Sequence, residues 1–297
     1  AGFSGRRHLV TSVVHPTKAG LNLPTIRSIP ILLPSLPEQR KIAKILSTWD
    51  KAIATTEKLI ETSKQQKKAL MQQLLTGRKR LVNPETGKAF KGDWEEVKFG
   101  DSISHIGGTA LEKHVKDNAR YHFISIGNYS IGGRYIDKNQ RIELNEKTRT
   151  KLLNEGDLVM VLNDKTKTGD IIGSTILIDK SDTYIYNQRS ERITVNEGIN
   201  VLFFWFLLNS KPFRTEVFNR SQGGTQIYVN FGALKPINIH LPNIQEQQKI
   251  AEVLTAADKE IEVLEVKFAH FKQEKKALMQ QLLMGKRRVK VDDMEVA

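Results

Sequence analysis

Three short stretches of this 297-residue chain carry side chains suited to chemistry, and that chemistry is binding. The loop "NDKTKTG" (residues 163–169) places Lys165, Lys167, Thr166 and Thr168 together. The stretch "RSQGGTQIY" (220–228) sets Arg220, Gln222, Thr225 and Gln226 around a Gly-Gly pair. Between them, Arg189 and Arg192 interleave with Asn187 and Gln188. Lys and Thr suit phosphate oxygens, while Arg, Gln and Asn offer the paired donors and acceptors that suit base edges. The expected DNA contacts are Lys165, Lys167, Thr168, Arg189, Arg192, Gln222, Thr225 and Gln226.

Catalytic patterns are missing from the sequence. There is no Gly-x-x-x-x-Gly-Lys-Ser/Thr loop for a nucleoside triphosphate. The "NPET" at Asn83 lacks the second proline and the aromatic residue of an amine-methylating motif. The seven histidines include no His-x-x-x-His pair. No metal, no cofactor and no catalytic residue is expected, and a nuclease reading is weakened by the lack of a clear acidic cluster. The absence of cysteine excludes disulfides and thiolate ligands and fits a reducing compartment. No apolar run reaches 18 residues, so no membrane partner is expected. The setting expected is cytoplasmic.

The net charge of +13 suggests a polyanionic partner. Its distribution is uneven: residues 37–80 hold 11 Lys or Arg against 4 acids, whereas residues 244–297 hold 10 of each.

The polar stretches belong to a block, residues 81–243, in which strand patterns alternate with glycine turns. Strands are expected within 121–136, 155–163, 171–179 and 184–195. A buried helix is expected at "NVLFFWFLLNSKPF", followed by a polar loop, a short helix and a last strand. This is an α+β pattern with a twisted, mostly antiparallel sheet.

On either side of the block stands a repeat. "KKALMQQLL" occupies residues 67–75 and again 275–283, and 24 of the 47 positions in 34–80 match 242–288. Each copy has an apolar heptad: Ile42, Leu46, Trp49, Ile53, Thr56, Ile60, Ser63, Lys67, Leu70 and Leu74, then Ile250, Leu254, Ala257, Ile261, Leu264, Phe268, Phe271, Lys275, Leu278 and Leu282. Ser35 with Glu38 forms a capping-box pattern, and Asn243 with Glu246 a weaker one. Gly77 and Gly285, each followed by basic residues, should end the helices. A parallel pairing would set Lys67 beside Lys275, so an antiparallel coiled coil is expected.

The run "I-x-L-P-x-x-x-E-Q-x-K-I-A-x-x-L", the two "KKALMQQLL" segments and "WEEVKFGD" at 94–101 resemble the specificity subunit of type I restriction-modification enzymes. Carrying residues are Leu33, Pro34, Glu38, Gln39, Lys41, Ile42, Ala43 and Leu46, with Leu241, Pro242, Glu246, Gln247, Lys249, Ile250, Ala251 and Leu254. The resemblance implies a chain without catalysis of its own that reads half of a bipartite site in double-stranded DNA. It implies two long helices that space the half-sites and dock two methyltransferase subunits, and separate motor/endonuclease subunits that use ATP. The segment holding Lys67, Lys68 and Met71, and its copy with Lys275, Lys276 and Met279, would then be partner-binding. The implied domains are a C-terminal remnant of a first target-recognition domain (1–36), helix one (37–80), a complete recognition domain (81–243), helix two (244–288) and a tail (289–297). The short first part implies a fragment or a truncated form. The competing reading is a coiled-coil scaffold with a protein-binding domain and no DNA role.

Overall fold

The computed structural model describes residues 23–28, 31 and 33–291. Most of the expected remnant at 1–36, and residues 292–297 of the tail, lie outside the described residues. The expected α+β fold with two long helices is present. The helices span Leu36–Leu74 and Ile244–Leu283, 39 and 40 residues, or about 60 Å each at 1.5 Å per residue. All twenty heptad positions are buried or half-buried, so the seam read from the sequence is the face turned inward. Among the described residues, no helix is long and apolar enough to cross a membrane.

The chain divides into two units, residues 1–65 with 258–297, and residues 66–257. In the first, the helix segments 36–65 and 258–283 run antiparallel, as the charge argument requires. Lys275 pairs with Asp50 rather than with another lysine. Trp49 meets Phe271 edge to face at 5.6 Å, Lys64 pairs with Glu265 at 2.6 Å, and Arg288 holds Glu38. Ion pairs reached by water are individually weak, so burial of the apolar seam does most of the holding. Thr56, a polar seam residue, is buried by donating its hydroxyl to the Ala52 carbonyl at 2.8 Å.

The second unit contains eleven short strands: β1 (Glu95–Lys98), β2 (Ile103–Gly107), β3 (Tyr121–Ile124), β4 (Arg141–Ile142), β5 (Leu158–Val161), β6 (Asn163–Asp164), β7 (Thr175–Leu177), β8 (Tyr184–Tyr186), β9 (Ser190–Val195), β10 (Ile227–Tyr228) and β11 (Asn238–Leu241). They form four small sheets rather than one: β2-β9-β5-β7, β4-β3-β8, β1-β11 and β6-β10. Polar and glycine turns interrupt the ladders every few residues, which keeps each sheet small. All pairings are antiparallel except β3 with β8.

The core of this unit forms around helix Val201–Leu208, whose first turn is capped by Asn200 accepting from the Phe203 amide at 2.9 Å. Phe203, Phe204, Phe206, Leu207 and Leu208 are all buried, so the helix is apolar on every side. Phe99 packs against Phe204, Phe213 and Phe231 at 5.2–6.1 Å. Each such ring removes enough apolar surface to stabilise the unit by about 2–3 kcal/mol. The central strand β5 is buried at all four residues.

The capping expectation needs correction. The Asn243 side chain does accept the Glu246 amide at 2.9 Å, but neither glutamate serves as the second half of a box. Arg80 donates to Glu246 through Nε and Nη2 at 2.6 and 2.7 Å. Arg288 donates to Glu38 in the same way at 2.7 and 2.6 Å. A bidentate guanidinium outcompetes a single backbone amide for a carboxylate. The glycines do mark the helix ends, at φ +68° for Gly77 and +66° for Gly285.

Candidate nucleic-acid interface

Three polar segments, far apart in sequence, meet at one edge of the second unit. The link is backbone. Strand β6 pairs with β10, setting Asp164 opposite Ile227 and Asn163 opposite Tyr228. Next to it, the Leu162 amide donates to the Arg189 carbonyl at 2.8 Å, and the Val229 amide donates to the Leu162 carbonyl at 2.9 Å. The loop with Lys165 and Lys167, the turn with Arg189 and the loop with Gln222, Thr225 and Gln226 are therefore neighbours. Lys165, Lys167, Thr168, Gln222, Thr225 and Gln226 are exposed, and Arg189 is half-buried.

Each segment is held in shape from beneath. Buried Asp164 accepts from the Thr166 amide and hydroxyl at 2.9 and 2.8 Å with one oxygen, and from the Ile171 amide at 2.8 Å with the other. Thr168 is tied to Thr166 at 2.9 Å and to Asp170 at 3.1 Å. The second loop is closed by paired bonds between Gln222 and Tyr228 at 2.7 and 2.9 Å. The two loops approach closely at Gly169. A Cβ there would stand 2.5 Å from Ile227 Cδ1 and 2.8 Å from the Phe218 ring, and its φ is +64°. Only glycine satisfies both conditions.

Arg192, a member of the expected set, and Asn187, which interleaves with it in sequence, behave differently. Arg192 lies on β9 and points to Asp157, 4.0 Å away, the carboxylate that also accepts from Thr194. It is not brought together with the loops. Asn187 is buried, accepting from the Arg189 amide at 3.1 Å and donating to Glu112 at 3.2 Å, so its amide shapes the turn. Gln188 remains exposed.

Arg214 plays a part that the sequence did not signal. Its guanidinium donates to the Asp170 carbonyl at 2.8 Å and to the Ile131 carbonyl at 3.2 Å. Burial lowers its pKa to about 10 against the opposing pull of Asp164 and Asp170, and it stays cationic at neutral pH. It braces the lysine loop from behind. Arg214 stands among ordinary helix residues, "KPFRTEVFN", and no local pattern distinguishes it.

The six partner-binding candidates divide. Lys68, Lys276 and Met279 are exposed. Met71 packs on the core, Lys67 lies over the Phe206 ring at 5.2 Å, and Lys275 is paired with Asp50. Among the described residues there is no group of three or more His, Cys, Asp or Glu able to hold a metal.

Residues 10–65 and 91–267 match the family model described as the type I restriction modification DNA specificity domain. The MjaVIII specificity subunit of a type I restriction enzyme from Methanocaldococcus jannaschii is 33% identical over 271 residues, covering 89% of this chain and 63% of that protein. The putative MjaX specificity subunit of the same organism is 27% identical and is likewise covered over 63% of its length. The chain thus spans under two thirds of these curated relatives. Among solved structures, the HsdS subunit from Thermoanaerobacter tengcongensis aligns over 96% of this chain and 68% of its own, with TM-score 0.51 and 15% identity. The S subunit from M. genitalium aligns over 84% and 61%, with TM-score 0.57 and 14% identity. At that identity these structures establish the fold. A scaffold reading without a DNA role is not favoured by the family match.

Proposed function

We propose, from the premise that this chain belongs to the type I restriction-modification DNA specificity family, that residues 81–243 read duplex DNA and that the chain directs catalytic partners without catalysing a reaction itself. One observation carries this reading: the backbone bonds at Leu162 and the β6–β10 pair gather separate polar segments on one edge. Lys165 and Lys167 would neutralise phosphates, with Thr225 as a hydroxyl donor, while the one hydroxyl proton of Thr168 already goes to Asp170. Arg189, Gln222 and Gln226 would address base edges in the groove. Arg192 is the weakest member of the set, because Asp157 already holds it.

The domain limits follow the same reading: a remnant of a first recognition domain at 1–36, helices at 37–80 and 244–288, and a complete recognition domain at 81–243. The exposed Lys68 on the first long helix and, separately, Lys276 and Met279 on the second are the residues proposed to dock two methyltransferase subunits, with motor/endonuclease subunits supplying cleavage in the cytoplasm. Support for partners comes from the relatives' names as specificity subunits of restriction enzymes.

The test is a gel shift of the full chain on duplex DNA at low and raised salt. Binding should weaken with salt, and Lys165→Ala or Lys167→Ala should each reduce the logarithmic salt slope by about one. Unchanged affinity in single variants of Lys165, Lys167, Arg189, Gln222 and Gln226 would overturn the assignment of this face. Incubating the chain with DNA, S-adenosylmethionine, ATP and Mg²⁺ should leave the DNA unmodified. Methylation or cleavage there would overturn the non-catalytic reading.

A further inference from the structure

Within the polar face stands an aromatic residue, Tyr228, that the core does not use. Tyr228 is 48% exposed, while its neighbours Ile227 and Val229 are 6% and 3% exposed. Strand alternation accounts for this: Ile227 and Val229 turn inward and Tyr228 outward. The ring sits opposite Asn163, at the junction of the two loops that carry Lys165, Lys167, Gln222 and Gln226. Its backbone amide and carbonyl are both bonded to Gln222, and its hydroxyl lies 3.4 Å from Gln222 Oε1. The backbone beneath the ring is thus pinned to the neighbouring loop, and no ring partner covers the ring among the described residues.

We propose that Tyr228 is a specificity-determining residue that presents its ring to a thymine methyl group in the major groove. This rests on the DNA-reading function proposed above. In an intact duplex the base faces are stacked and only their edges are offered. The thymine methyl is the apolar group among those edges in the major groove. A ring held upright between phosphate-binding and base-reading side chains has that group as its matching partner. The neighbouring Gln222, Gln226 and Arg189 would read the polar edges on either side.

The experiment starts with selection of a preferred sequence by the full chain from a randomised duplex library. Duplexes of that sequence are then made with each thymine replaced in turn by uracil, which removes only the methyl. At one position the unaltered chain should lose about fourfold in affinity, the scale of removing one buried methyl group from an apolar contact. Tyr228→Ala should bind the thymine and uracil duplexes equally, and Tyr228→Phe should keep the discrimination. Affinity of Tyr228→Ala for a scrambled duplex should stay within about twofold of the unaltered chain, since phosphate contacts dominate non-specific binding. A variant that merely unfolds the loops would lose the scrambled duplex as well, and that result would overturn the proposal in favour of a structural role. Selection that succeeds with no uracil-sensitive position, or with sensitivity that persists in Tyr228→Ala, overturns the proposal and leaves the DNA-reading function standing. If no sequence is enriched, both fall.

Discussion

The repeat closes twice on the same ion pair, in different surroundings. Glu246, near the start of the second long helix, is gripped by Arg80, and Glu38, near the start of the first, by Arg288. The offset of 208 residues relates both the two glutamates and the two arginines. At the first clasp the side chains are 24% and 0% exposed for Arg80 and Glu246, and Arg80 also donates to the Gly92 carbonyl at 2.9 Å. At the second they are 71% and 3% exposed for Arg288 and Glu38. Duplicated residues thus gave duplicated geometry, while the surroundings decide how strongly each pair matters. An enclosed carboxylate that loses its partner has no water to turn to, whereas one beneath an exposed guanidinium is readily resolvated.

Removing the arginine is the sharpest way to separate the two clasps. Arg80→Ala should lower unfolding stability by about 3 kcal/mol, measured by urea denaturation followed through tryptophan fluorescence. Arg288→Ala should cost much less, and equal losses would break the argument from enclosure. A double-mutant cycle on Arg80 and Glu246 should give a coupling of about 1–2 kcal/mol, with a smaller coupling for Arg288 and Glu38. The helix-ending glycines allow a finer comparison. Gly77→Ala and Gly285→Ala should each cost about 1 kcal/mol for a left-handed backbone. The two losses should be equal, because the glycines share the same left-handed backbone and the Cβ at Gly77 would meet the Trp94 indole at 3.4 Å, an ordinary contact. Thermal melting of the two variants tests the equality.

The smallest effect expected is with pH. The hydrogen bond from Arg288 holds the Glu38 carboxyl below its usual value of 4.5 against the opposing effect of burial. The ionised form therefore stabilises the folded chain above that value, and the contribution disappears as pH falls through the depressed folded value. Melting curves of the unaltered chain and Glu38→Gln should differ at neutral pH and converge in acid. A difference that persists after the carboxyl is fully protonated would mean that the ionised pair is not its source.

The same contrast between near and far explains what could be read from sequence. The heptads were legible because their spacing is local, and every position from Ile42 to Leu282 turned inward. The lysine and glutamine loops were legible as composition, and their meeting was not, because it depends on Leu162 bonding to Arg189 and Val229. Glu38 and Glu246 have the local appearance of capping residues, yet their partners lie 250 and 166 residues away. Arg192 stood in the same run as Arg189 but belongs to a strand whose register brings it to Asp157. Asn187 had the side chain of a base reader and is spent on its own turn.

The single carboxylate of Asp164 has a consequence for how such a molecule can change over generations. It closes the neck of the lysine loop by holding Thr166 and Ile171, and the residues between project from that closure. Substitution or insertion at the tip alters charge and reach while the neck and the four-stranded sheet behind it stay as they were. Drift at the tip is therefore nearly neutral for folding, and under the DNA-reading role proposed above a lineage would acquire a new preference without rebuilding its core. Change at Asp164 or Gly169 has no such freedom, so variation should pool between them and thin out at both.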